Sequence, residues 1–343
     1  MLLATPPFWY RRRPSLRAQL LRPLALLYAL GVGLHRGWVR PLRLPVAVVS
    51  IGNITVGGTG KTPLVIGLAR ILRERGVRLA VLTRGYGSGR RSPIRLLGAL
   101  GQEPRLPGLL TGLGDEALEL AGSLADVPVW VGSDRRAAAR QAVAEGAELL
   151  LLDDGLQHWP LARDCDVTVL DARHGLGNGL LFPAGPLREP ASHFGRADLL
   201  VLTGSAADAA PEGWPADKPW LAVPTSVHPA PSLRHRPLLA FCGIGLPRKF
   251  FAALRHAGLH LVATEVFPDH HPYAQADMDR LAALAQARGG ATLVTTVKDW
   301  HRIPASQRAG VAAVPLLLDP EALTSLADAV QSLLRQRDAG RHG

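Results

Sequence analysis

The run Gly57-Gly58-Thr59-Gly60-Lys61-Thr62 sits between an apolar, β-branched stretch (46–51) and a segment of helical periodicity (62–75). Closely spaced glycines let a backbone wrap round phosphate oxygens and turn its N–H groups inward. The helix start that follows adds a dipole favourable to anions. In this arrangement Lys61 reaches the β- and γ-phosphates and the Thr62 hydroxyl meets Mg²⁺. The strict form of the pattern has Gly where this chain has Thr55, but the strand–loop–helix context is retained. A second chemical pair, Asp153-Asp154, ends the apolar run LLLLDD. Carboxylates at a strand's carboxyl end lie beside a phosphate loop in a doubly wound sheet, where they hold Mg²⁺ or its water. The bland alternative is an aspartate that forms a turn.

These residues need a parallel sheet to position them. Strands are expected at 46–51, 78–83, 128–131, 149–153, 167–171 and 198–203, with helices at 62–75 and 134–145. Apolar runs without clean alternation are buried on both faces, which gives a doubly wound, mostly parallel α/β sheet covered by helices. Seven prolines between 211 and 237 mark a hinge, with an edge strand at 219–223. A second, smaller α/β set follows: strands near 238–243, 260–266, 291–296 and 313–317, helices near 247–257, 276–287 and 320–336. The expected organisation is an amino-terminal helix (1–43), a phosphate-loop core (44–205), a hinge (206–237) and a carboxyl-terminal domain (238–343).

Charge is distributed unevenly. The net charge of +11 resides in the first 73 residues, which hold ten Arg and Lys61 but no acid; the rest is neutral. A nucleic-acid binder would carry its excess over the folded body, so no nucleic-acid partner is expected. Two cysteines make no disulfide framework. Leu16, Leu20, Leu24, Leu27, Gly31 and Leu34 recur at helical spacing, flanked by Phe8-Trp9-Tyr10, Arg11-Arg12-Arg13 and Trp38. Pro23 kinks or starts this helix. Its apolar run of about 11 residues is short of the roughly 20 that span a bilayer. A helix lying in an anionic membrane interface is therefore expected, against a core helix or a cleaved signal as alternatives.

Further motifs carry a resemblance. GNITVGGTGKTP (52–63), TRGYG (83–87), GDE (114–116), DDGLQH (153–158), GPLRE (185–189), PDHH (268–271) and T-x-KD (296–299) occur in order, and together they resemble the lipid A 4′-kinase (tetraacyldisaccharide 4′-kinase) family. That family shares Thr55; at Leu156 it usually has Phe. The resemblance implies transfer of the ATP γ-phosphoryl group to the 4′-hydroxyl of a tetraacylated glucosamine disaccharide 1-phosphate at the cytoplasmic face of the bacterial inner membrane, with ATP and Mg²⁺ and no obligate protein partner. It also implies that Asp115 takes the hydroxyl proton and that His270 assists, the pair assembling on domain closure. Read without the family, Gly114-Asp115-Glu116 is also an ordinary helix start, and Asp269 with His270 could be structural.

The other positions have two readings each. Glu116 supports Asp115 or binds Mg²⁺. Arg84 and Tyr86, at the carboxyl edge of strand 78–83, contact substrate or form a plain turn. Arg188 with Glu189 is a phosphate contact and its support, or a surface pair. His158 orients substrate or metal, or is a core histidine. Thr296-x-Lys298-Asp299 is similar to the base-reading T-K-x-D of other phosphate-loop enzymes, in a different order. A zinc site from His158, His270 and His271 lacks supporting spacing. Three rivals remain: a nucleotide-hydrolysing switch or metal-insertion NTPase, a soluble small-molecule kinase, and a membrane scaffold with a vestigial loop.

Overall fold

The computed structural model describes residues 6–11, 13–57, 59–85, 92–96, 113–204, 209–227, 229–245, 247–269 and 271–342. The described residues form two compact units, one drawn from 7–224 and 318–342, the other from 225–317 with Pro6. In the larger unit the strands are β1 (Ala47–Gly52), β2 (Leu79–Thr83), β3 (Ile94–Leu96), β4 (Val129–Val131), β5 (Leu149–Asp153), β6 (Cys165–Asp171), β7 (Leu199–Thr203) and β8 (Trp220–Val223). They lie in the order β3-β4-β2-β5-β1-β6-β7-β8, parallel except for β3 against β4.

The helices of this unit are α1 (Leu16–Leu20), α2 (Arg22–Trp38), α3 (Lys61–Glu74), α4 (Asp115–Ser123), α5 (Arg135–Ala144) and, at the carboxyl end, α9 (Pro320–His342). Successive strand residues serve opposite faces. Val49, Ile51, Leu149 and Leu151 pack with residues of α3, α4 and α9, whereas Val48, Leu150 and Leu152 pack with Ala138, Ala139 and Ala142 of α5. The run LLLLD is continuously apolar because both of its faces are covered. The strand order runs outward in opposite senses from β1, toward β5 and β2 on one side and β6 and β7 on the other, and such a switch point opens a crevice at the carboxyl ends of the strands.

The smaller unit holds β9 (Thr225–Val227), β10 (Leu238–Cys242), β11 (Leu261–Val266), β12 (Thr292–Thr296), β13 (Val311–Val314) and β14 (Leu316–Leu318). A parallel sheet runs β11-β10-β12-β13, and β9 pairs with β14. Its helices are α6 (Pro247–His256), α7 (Gln275–Ala287) and α8 (Val297–Arg302). Leu238, Ala240 and Cys242 pack with Phe250 and Leu254 of α6, and Leu239 and Phe241 with Met278 and Leu281 of α7.

One boundary differs from the sequence-based organisation. Residues 318–343, expected in the carboxyl-terminal domain, belong with the phosphate-loop unit. Leu326, Ala327 and Val330 of α9 lie in the core beneath α3, and the two helices approach so closely that a Cβ at Gly67 would come within 2.7 Å of Leu323 Cδ1. Leu326→Ala should therefore destabilise the larger unit by about 2–5 kcal/mol, the usual cost of truncating a buried leucine. Denaturant unfolding monitored on that unit measures it; a loss under about 0.5 kcal/mol would show that α9 packs on the surface.

Candidate active site

The phosphate loop leaves β1 at Gly52 and returns as the first turn of α3. Gly57 and Gly60 hold positive φ (116° and 82°), which brings the main chain round without a Cβ penalty. The Thr203 hydroxyl donates to the Thr59 carbonyl at 2.7 Å and Asn53 Nδ2 donates to the Gly57 carbonyl at 3.4 Å, so the loop is tied to β7 and braced across its own turn by its first residue. No side chain caps α3, leaving its first amides open to an anion. Thr62 is buried on the first turn, and the buried Thr59 Oγ1 has no hydrogen-bond partner. Gly58 lies outside the described residues.

Lys61 is held ready rather than dispersed in solvent. Its Nζ donates to Asn53 Oδ1 at 3.0 Å and lies 3.4 Å from Asp154 Oδ1. Asp154 has a left-handed backbone (φ 48°) at the end of β5, and its carboxylate accepts both contacts of Arg188 Nη1, at 2.8 and 3.0 Å. Burial alone would raise the Asp154 carboxyl, but Lys61 and Arg188 hold it well below the usual carboxylate range. Asp153 is different. It is buried, accepts from the Thr83 hydroxyl at 3.2 Å through Oδ2, and its Oδ1 has no partner. Burial first, then Glu116 and Asp154, push its carboxyl up to about 7. A buried carboxylate oxygen without a donor fits a hard divalent cation, as does the Thr62 hydroxyl on the first turn of α3. Among the described residues no group of three His, Cys, Asp or Glu could hold a metal by itself, so phosphate oxygens or water would complete the shell.

The Gly185–Glu189 segment is strapped to the loop. Val56 N donates to the Pro186 carbonyl and Arg188 N to the Ile54 carbonyl at 2.7 Å, which delivers Arg188 to Asp154. Glu189, expected beside Arg188 as the support of a substrate contact or as half of a surface pair, is fully buried, and it accepts from Gln157 Nε2 at 2.8 Å and Arg196 Nη2 at 2.9 Å. Its oxygens are used inside the protein; it supports the strap. Burial, with Arg135, Arg163 and Arg84, depresses the His158 imidazole to about 3, so it is neutral, and its Nε2 is buried without a partner. Arg84 is exposed at the carboxyl end of β2, and Glu116 lies in the first turn of α4, near enough to Asp153 to raise it. Asp115 is the first residue of α4 in the larger unit. Tyr86 and His270 lie outside the described residues.

Several residues of the site escaped sequence reasoning: Asn53, Thr83, Gln157, Arg196 and, above all, Arg135. Arg135 is buried and donates to the Asp154 carbonyl at 3.1 Å. Burial lowers its pKa, while Asp154 and Asp153 favour the charged form. A cation at the first position of a helix opposes the dipole, and that local conflict in Ser133-Asp134-Arg135 was the available signal.

A cleft of about 370 Å³ lies beside this centre, lined by Tyr28, Val32 and His35 of α2 and by Gln157, Trp159 and Arg188. A larger cavity of about 530 Å³ at Arg163, Asp164, Asp198 and Arg337 sits at the opposite, amino-terminal edge of β6. On α1 and α2, Leu16, Leu20, Leu24, Leu27, Leu30 and Leu34 are exposed, with Leu16 at 83% and Leu20 at 80%. Trp9, expected at a membrane interface, is instead buried and donates to the Pro183 carbonyl at 3.1 Å. Among the described residues no helix is long and apolar enough to cross a membrane.

Comparison with known proteins agrees with this geometry. Residues 17–335 match the family model described as tetraacyldisaccharide-1-P 4′-kinase. The tetraacyldisaccharide 4′-kinase of Methylobacterium sp. (strain 4-46) is 42% identical over 344 residues, covering 98% of this chain and 99% of the relative. That of Rhodopseudomonas palustris (strain BisB18) is 41% identical over 350 residues, covering 98% of each. A crystal structure of LpxK from Aquifex aeolicus in complex with ATP superposes with a TM-score of 0.71 at 28% identity, over 93% of this chain and 100% of that one. With the family model matching residues 17–335 and relatives above 40% identity over nearly the whole chain, the chain belongs to the tetraacyldisaccharide-1-P 4′-kinase family.

Proposed function

We propose that this chain transfers the γ-phosphoryl group of ATP to the 4′-hydroxyl of tetraacyldisaccharide 1-phosphate in lipid A assembly. The observation that carries the reading is the charged centre at the end of β5: Lys61 poised on Asn53 and Asp154, beside a buried Asp153 oxygen that has nothing to accept. Polyphosphate binding draws Lys61 from Asp154 toward the β- and γ-oxygens, and Arg188 keeps the Asp154 carboxylate neutralised as Lys61 leaves. Thr62 and Asp153, with Glu116 and Asp154 alongside, would hold Mg²⁺, which when bound neutralises charge on the phosphate oxygens. Asp115 takes the proton of the attacking hydroxyl and His270 assists it. Arg84, Tyr86, His158 and Arg188 serve the acceptor, with the cleft against α2 admitting its sugar and the start of its acyl chains. His158 does so as a neutral imidazole.

The exposed leucines of α1 and α2, with the arginines around them, suit an anionic membrane surface. On this reading the enzyme works at the cytoplasmic face of the inner membrane, where an acceptor with four acyl chains is confined. A second reading, a phosphate-loop hydrolase without an acceptor, leaves both the apolar cleft and this leucine face without a purpose.

Asp115→Ala should lower kcat by at least about a hundredfold with KM for ATP little changed, since a general base contributes 10²–10⁴-fold. Transfer of labelled γ-phosphate to lipid measures it, and near-normal turnover removes the base assignment. The Asp153 carboxyl, pushed up to about 7, keeps its proton below that pH. Mg²⁺ must displace that proton, so affinity should fall about tenfold per pH unit below 7 and level off above it. Calorimetric titration across that range tests this; a flat profile takes Asp153 out of the ligand set. Replacing Leu16, Leu20 and Leu27 together by Ser should abolish flotation with anionic vesicles while the unfolding midpoint holds, because these side chains are already exposed. Undiminished flotation of that variant would refute the membrane-facing role of α1 and α2.

A further inference from the structure

The neutral balance beyond residue 73 conceals a second segregation of charge. Residues 225–317 of the smaller unit hold ten Arg and Lys against five Asp and Glu, and no acid occurs between 218 and 264. The acids that follow are engaged on or beside α7. Glu265 accepts from Arg280 Nη1 at 2.8 Å, and Asp279 accepts from Gln275 Nε2 at 3.0 Å. Asp277 meets His271 Nε2 and Ala274 N, both at 2.9 Å, and Asp299 is fully buried. The α7 side of the sheet is therefore of mixed charge, and the excess of cations lies elsewhere.

It lies on the α6 side. Leu233, from the turn Pro231–Leu233, and Val227 of β9 join one buried cluster with Phe250, Phe251 and Leu254 of α6, so turn and helix cover the same face of the sheet. Arg234 and Arg236 follow that turn directly. Arg248 and Arg255 stand seven residues apart on α6, roughly opposite the buried Phe250 and Leu254. All four arginines are exposed, and among the described residues none has an ion-pair partner. Exposed arginines of the larger unit are used differently: Arg78 pairs with Glu148 at 2.5 Å and Arg95 with Glu145 at 2.8 Å. Arg248 even occupies the first turn of α6, where the helix dipole disfavours a cation. Charge kept without an internal partner, and against its own helix, suits an external anion. No large apolar side chain of α6 or of the 231–237 turn is exposed among the described residues, and Phe250 and Phe251 are buried. The face can therefore rest on headgroups but not insert, and it offers no aromatic platform for nucleic-acid bases.

We infer that the α6 side of the smaller unit is a docking surface for the anionic headgroups of a bilayer, held by Arg234, Arg236, Arg248 and Arg255. The inference rests on the reading above that the acceptor is a membrane lipid, but not on α1 and α2. The test replaces all four arginines by Glu in the full-length enzyme and measures partitioning onto phosphatidylcholine vesicles with and without about 30% phosphatidylglycerol. A cation near an anionic leaflet contributes about fivefold, so the variant should partition at least about tenfold more weakly onto the charged vesicles. Onto phosphatidylcholine alone it should bind as the parent does, and KM for ATP should stay within about twofold. The difference should vanish at about 1 M salt, where screening shortens to about 3 Å. The corresponding four Arg→Gln changes, which add no repulsion, should give a smaller loss in the same direction. Undiminished partitioning of both variants onto charged vesicles overturns the inference. So does an equal loss on uncharged vesicles, which would mark a damaged fold, and so does intact partitioning with lost retention of single-stranded RNA. A parent enzyme that transfers no γ-phosphate to lipid removes instead the reading on which the inference rests.

Discussion

A carboxylate taken out of water without a cation or donor for each oxygen is unfavourable by several kcal/mol, and proteins relieve it by pairing the group, protonating it or giving it a ligand. The turn after β5 places two carboxylates side by side and resolves them differently. Asp154 is paired by Lys61 and Arg188; Asp153 has the Thr83 hydroxyl on one oxygen and nothing on the other. The rest of the larger unit keeps this inequality in place. Gly155 admits no side chain, because a Cβ there would fall 2.5 Å from Leu152 Cβ and 2.8 Å from Ser50 Oγ; the turn is pressed onto β1 and its phosphate loop. Arg135 closes one side by binding the Asp154 carbonyl. The Ile54–Arg188 and Val56–Pro186 main-chain bonds close the other. A lysine and a buried carboxylate oxygen without a donor, held at one strand edge, suit the binding of a polyphosphate with its cation.

How much of this the sequence discloses depends on how far each interaction reaches along the chain. The strand, glycine loop and first helical turn from Ala47 to Thr62 are contiguous, so their residue types announce both the element and its chemistry. The same holds for LLLLDD, where burial on both faces is written in one apolar run. Arg135 gains its role from a carbonyl 19 residues away and Gln157 from a carboxylate 32 residues away, distances over which no periodicity speaks. The strands Ile94–Leu96 and Thr225–Val227 are too short to show a period of two. Helix α9 was legible as a helix but not as part of the larger unit, because an apolar stripe states that a face is buried and not against what.

The amino-terminal helices show the opposite limit. Their leucines repeat at core-like spacing, yet the structure buries mainly Ala18 and Ala25 and turns Leu16, Leu20 and Leu27 outward. Small residues let the helices lie close to the body while the large ones face away, the reverse of a helix whose stability comes from covering a core. Trp9 belongs to the body, tied to Pro183 and set edge-on to the Phe182 ring at 6.0 Å, with Tyr28 of α2 on the same ring at 5.7 Å. An aromatic hinge point therefore fixes the helix pair to the loop that carries Arg188. The apolar face and the charged centre are parts of one construction, as an acceptor that is half sugar and half hydrocarbon requires.

Short motifs acquire meaning only with their burial. Two chains can share an aspartate after a lysine at the end of a parallel strand and use it oppositely, as a reader of ligand edges when the carboxylate is exposed and as an anchor for backbone when it is enclosed. The pattern at Thr296–Asp299 is compatible with either. What decides is that Gly243 has room for no side chain and offers its amide to Asp299, so the carboxylate is fully satisfied before any ligand could approach. A charge satisfied inside the fold acts by holding backbone still, and the backbone it holds is the end of β10 at Gly243.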